Sequence, residues 1–103
     1  MFRRKRFGNL IAMQLDVFAV DHADRLQSLR EALAQYRASD RYQAEERYGD
    51  YADEIDWAAE ELSEMRDAYA MTLDPDLVEQ YEHEFSKAVH KAYPAIAIIL
   101  DTL

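Results

Sequence analysis

From Tyr48 to Thr72 one spacing runs without interruption. Tyr48, Tyr51, Ile55, Ala58, Leu62, Met65, Tyr69 and Thr72 follow one another in steps of 3, 4, 3, 4, 3, 4 and 3. An α-helix, at 3.6 residues per turn, keeps such residues on one face, whereas a strand returns to a face every second residue. Two further series of the same kind flank it. One runs through Ile11, Leu15, Phe18, His22, Arg25 or Leu26, Leu29, Leu33 and Tyr36, the other through Val78, Tyr81, Phe85, Ala88 or Val89, Ala92, Ile96, Ile99 and Leu103. Residues 10–17 alternate as a strand would (Ile11, Met13, Leu15, Val17), but the helical steps continue for three more turns beyond them.

The punctuation divides the chain in three. Asp74-Pro75-Asp76 is a helix start, with Asp74 at the N-cap, Pro75 at the first helical position and Asp76 complementing the dipole. Ser39-Asp40, with Gln43 three residues after the Asp, suits a capped start near residue 41; Gly49-Asp50 is the competing break. Asn9 can cap the first helix. Pro94 falls inside the third series on its outward side, and the apolar steps pass it unchanged, so a kinked continuation is expected there. The expected architecture is therefore all-α: an up-down-up antiparallel bundle of three long helices, about 9–38, 41–73 and 75–101, kinked at Pro94. Residues 1–8 form a basic N-terminal arm and 9–103 a single helical domain.

Length makes this architecture incomplete. A 30-residue helix is about 45 Å long, while a compact 100-residue domain is roughly 35 Å across, from its radius of gyration of about 13 Å. Residues 10–20 and 95–100 are also apolar on nearly every side, more than one stripe requires. In an up-down-up bundle these segments lie at opposite ends, where an antiparallel homodimer would bury both. Leu10, Met13, Val17, Ile96, Ile98 and Ile99 are the expected dimer contacts.

Charge narrows the function. The chain carries 12 Lys+Arg against 21 Asp+Glu. Four bases form one run, Arg3, Arg4, Lys5 and Arg6, leaving eight against 21 acids, a net of −13, over residues 8–103. The body repels nucleic acid and anionic membrane; the arm attracts both. The basic start resembles a signal peptide only faintly, because Gln14 and Asp16 interrupt the apolar run and no cleavage site follows. No charge-free stretch before Asp16 approaches the roughly 18–20 residues of a membrane helix. A cytoplasmic location is expected, and membrane attachment is not, since four charges with Phe2 and Phe7 fall short of stable anchoring.

Among candidate sites, Trp57 lies well off its helix's apolar stripe among Glu54, Glu60, Glu61 and Glu64. It is either a Trp leaning over the core edge or a partner-binding anchor ringed by carboxylates. The ten acids of residues 45–67 are either a solvated helix face or a nucleic-acid mimic that occupies a DNA-binding protein. His83 and His90 share a helix face beside glutamates, but Gln80 and Lys87 stand where a Glu-x-x-His metal signature needs acids. His22 lies within the first apolar series with no nucleophile to accompany it. The absence of cysteine excludes disulfides, thiolate metal sites and cysteine catalysis. No Gly-rich phosphate loop, G-x-S-x-G or H-E-x-x-H occurs either.

The expectation is a small, acidic, non-enzymatic interaction or adaptor protein without cofactor, acting as a homodimer through Trp57 and its carboxylates on an unidentified protein partner. The alternative is a nucleic-acid-associated regulator using the Arg3–Arg6 arm, or the acidic mimic.

Overall fold

A computed structural model describes residues 6–103 and is all-helical there. The chain folds as five helices rather than the expected three: α1 (Gly8–Asp21), α2 (Ala23–Ala38), α3 (Ala44–Ala70), α4 (Pro75–Ala92) and α5 (Pro94–Leu100). Each extra boundary has an identifiable cause.

α1 and α2 form one bent rod. The backbone bonds continue through the joint, His22 N–H to Phe18 at 3.1 Å and Leu26 N–H to the His22 carbonyl at 2.8 Å. His22 itself leaves helical geometry at φ −117°, ψ 28°. Neither Pro nor Gly stands here. The bend coincides with the indole of Trp57, which packs against Phe18 and His22 at the corner.

The turn before α3 falls at Ser39–Gln43, and Gly49 lies inside α3. The Asp40 carboxylate accepts the N–H groups of Tyr42 and Gln43 at 2.9 and 3.0 Å, fixing the short turn that leads into α3 at Ala44, three residues later than expected. Pro75 occupies the first turn of α4, but the Asp74 side chain makes no cap bond there. α1 does not rely on Asn9 for its cap. Glu84, on α4, accepts the N–H groups of Arg6 and Phe7 at 3.2 and 3.0 Å, setting a carboxylate at the positive end of the α1 dipole.

The second extra boundary overturns the kinked continuation. Tyr93, pushed off the helical region by the following proline, sits at φ −142°, ψ 70°. Pro94 then opens a new helix. α5 folds back along α4, so that Asp101 reaches His90 at 2.6 Å and Ser86 at 2.9 Å. Of the apolar segment 95–100, Ile96, Ala97 and Leu100 are buried against α3 and α4, while Ala95 and Ile98 face outward.

The helices form a thick half and a thin half. In the thick half α1 and α4 run parallel, Phe7 meeting Tyr81 at one end and Phe18 meeting Tyr93 at the other. α3 and α5 complete a core of Phe18, Leu62, Tyr81, Phe85, Val89 and Leu100. Ala58 and Ala59, fully buried, let helices approach α3 closely. In the thin half α2 runs antiparallel to the start of α3, with Arg25 meeting Glu54 and Gln35 meeting Arg47. No residue of α2 beyond Leu26, and none of α3 before Ile55, is buried. The molecule measures 52 × 27 × 22 Å with a radius of gyration of 15.7 Å, against about 13 Å for a compact chain of this length.

Candidate functional site

Trp57 belongs to the bend rather than to a free surface. Its ring stacks on Phe18 at 6.4 Å, meets His22 edge-on at 5.1 Å and carries the Arg25 guanidinium over one face at 4.4 Å. Arg25 is held in turn by Glu54 at 2.7 Å, and His22 approaches Glu61 at 3.7 Å. Three residues of the expected partner site, Trp57, Glu54 and Glu61, thus fasten α3 to the α1–α2 corner. His22, with its two aromatic neighbours, is part of the same cluster.

Glu60 and Glu64 lie elsewhere. Together with Glu46, Asp50, Asp53, Asp56 and Asp67 they form an exposed ridge on the side of α3 opposite its core. The steps are 4, 3, 3, 4, 4 and 3, the same helical arithmetic that places Ile55 and Leu62 inside. Among the described residues only Asp67 of this ridge forms an ion pair, with Arg66 at 2.9 Å. Six carboxylates therefore face solvent without an ion-pair partner among the described residues.

Of the expected dimer contacts, Ile96 is withdrawn into the chain's own core at 3 % exposure, and Leu10 and Ile99 pack against that core. Met13, Val17 and Ile98 stay exposed at 58, 46 and 63 %. Val20 and Leu103, outside the expected set, are exposed as well. The two apolar segments do not lie at opposite ends, because the reversal at Tyr93–Pro94 brings α5 back beside α4, level with α1. An antiparallel dimer joined end to end thus loses its geometric basis.

Between the parallel helices α1 and α4 runs a groove of about 1280 Å³. Ile11, Ala12, Leu15 and Ala88 line its floor, and Asp76, Glu79, His83, Lys87 and Lys91 its α4 side. Of this set, Asp76, Glu79, Lys87 and Lys91 form no ion pair among the described residues.

The basic arm is shorter than its sequence boundary at residue 8. Phe7 is buried edge-on against Tyr81 at 5.4 Å, and Arg6 is fixed through its backbone by Glu84. Phe7 is therefore a core residue and no membrane contact. Arg3, Arg4 and Lys5 lie outside the described residues.

The histidines of α4 diverge in role, His90 binding Asp101 while His83 lines the groove. No group of three potential metal ligands converges among the described residues. The Asp101 carboxyl is held below its ordinary range by the hydrogen bond to His90, with Ser86 assisting. Burial pushes the Tyr81 phenol above its ordinary value, and its hydroxyl donates to the Gln14 amide oxygen at 3.0 Å. No described helix is long and apolar enough to cross a membrane. Comparison with known protein families, with curated proteins and with solved structures returns no match.

Proposed function

We propose that the chain is a small, non-enzymatic, cytoplasmic interaction protein that self-associates as a homodimer and offers the α3 ridge to a basic protein partner. One observation carries the reading: six carboxylates, Glu46, Asp50, Asp53, Asp56, Glu60 and Glu64, lie in line on one helix and form no ion pair among the described residues. Such a row raises the local concentration of a cationic partner and speeds its encounter.

Charge spacing selects among partners. Glu46 to Asp67 spans 21 residues, about 32 Å of helix at 1.5 Å per residue. Seven carboxylates over that length give roughly one charge per 5 Å, against about one per 1.7 Å for duplex DNA. The ridge is too sparse to imitate a duplex closely, and it matches a basic helix or loop, whose charges recur every turn.

The test is crosslinked capture from the native host with wild-type bait and with a neutralised ridge (E46Q/D50N/D53N/D56N/E60Q/E64Q), both verified as helical. Proteins recovered by the wild type and lost with the neutral ridge support the reading. The same set from both baits, or none from either, refutes it.

A further inference from the structure

We infer that the α1–α4 groove is where a second copy of this chain docks, the two α4 helices running antiparallel about a two-fold axis beside His83. The inference rests on the reading of the protein as self-associating and assigns that association a surface.

The charge order along α4 carries the argument. Acids line the groove at its first turns, Asp76 and Glu79, and lysines at its last, Lys87 and Lys91. This polarity complements the dipole of α4 itself, but its symmetry goes further. Glu79 and Lys87 lie four residues to either side of His83, and Asp76 and Lys91 seven and eight residues away. An antiparallel copy centred on His83 therefore sets Glu79 against Lys87 and Asp76 against Lys91, twice each. A parallel copy sets acid against acid and base against base. All four side chains lack ion pairs among the described residues, so they reach the interface uncommitted. A two-fold interface must be self-complementary, and this face is.

Charge sets the register, while apolar contact supplies most of the affinity. Ala12, Leu15 and Ala88 form the floor onto which the partner's α4 would pack, with the lysine stems lying along it. α4, about 27 Å long, and α1, about 21 Å, each about 10 Å wide, give a flat projection of ~480 Å². That approaches the ~600 Å² per partner at the lower bound of specific interfaces. The dimer is accordingly weak, forming in the micromolar range.

Sedimentation velocity at low salt tests this with three proteins: wild type, Lys87→Glu/Lys91→Glu and Asp76→Lys/Glu79→Lys, each checked for helicity. Wild type is expected to dimerise, and each reversal to raise the dissociation constant about tenfold or more. An equimolar mixture of the two reversals, complementary to each other, should recover a heterodimer. The difference should shrink at high ionic strength. If either reversal fails to fold, K87Q/K91Q replaces it, with an expected loss of a few-fold. A wild-type dimer indifferent to these changes, or a mixture that does not associate, overturns the groove while leaving self-association standing. A wild type that stays monomeric overturns both.

Discussion

Replacing Trp57 with alanine separates a structural residue from a binding one. Removing a fully buried Trp or Phe side chain costs about 3–5 kcal/mol. Trp57 is half-buried, so roughly half to two thirds of that, ~2–3 kcal/mol, is expected. Arg25, poised over the ring, adds a cation–π contribution of about 0.5–1 kcal/mol at an exposed site. Its bond to Glu54 adds little, being open to solvent. In a double-mutant cycle W57A and R25A should therefore couple by ~0.5–1 kcal/mol. Urea unfolding followed by far-ultraviolet circular dichroism reads both quantities without relying on the lost indole. With a slope near 1.5 kcal/mol per molar urea for a chain of this size, W57A should lower the midpoint by about 1.3–2 M. An unchanged midpoint, with R25A and W57A strictly additive, would refute the assignment of Trp57 to the α1–α2 corner and restore it as a free anchor.

Other perturbations have equally definite outcomes. Gly49 stands inside α3 with nothing within 4 Å of where a Cβ would go, so Gly49→Ala should stabilise the protein by about 0.5–1 kcal/mol in the same urea assay. The Tyr81 phenol, raised by burial above its ordinary 10.0, keeps its proton in the fold after an unfolded chain would have lost it. Its contribution is full below pH 10 and is lost as pH rises through the folded value, so tyrosinate absorbance in the native protein should show one late-titrating group that Tyr81→Phe removes. Asp101 is shifted the other way, its folded pKa lying below 3.8. The stability it lends is present above that value and is lost as pH falls through the folded one, and Asp101→Asn should speed amide exchange in α5 at neutral pH while leaving α2 unchanged.

The helical class, the turn at Asp40 and the proline start of α4 were all legible because each rests on local chemistry. A carboxylate caps open N–H groups; proline suits a first turn; a 3–4 spacing lines one face. What escaped was tertiary. Pro94 permits either a kink or a fresh helix, and the choice is made by Asp101 finding Ser86 and His90, 15 and 11 residues back. Ile96 fits the stripe of a continuing helix and of a reversed one equally well. The bend at His22 has no breaker of its own and depends on Trp57 from another helix. Likewise Glu84 caps α1 from 77 residues away, a relation no local pattern encodes. The α3 ridge was legible as part of the ten acids of residues 45–67, and the helical period separates Glu46, Asp50, Asp53, Asp56, Glu60, Glu64 and Asp67 from Glu54 and Glu61, which turn toward the corner. A lone indole among acids suggests an anchor, but the rings that Trp57 packs on, Phe18 and His22, come from a segment 35–39 residues earlier in the chain. The Asp76–Lys91 symmetry was likewise present in the sequence, but it takes on meaning only beside a groove.

The mass of the wild-type chain in solution tests the account most directly. Light scattering across micromolar concentrations at low salt should give a weight-average mass rising from 12.1 kDa toward twice that value, with the rise suppressed at high salt. A mass that stays at one chain throughout would contradict self-association and, with it, the docking of one α4 upon another.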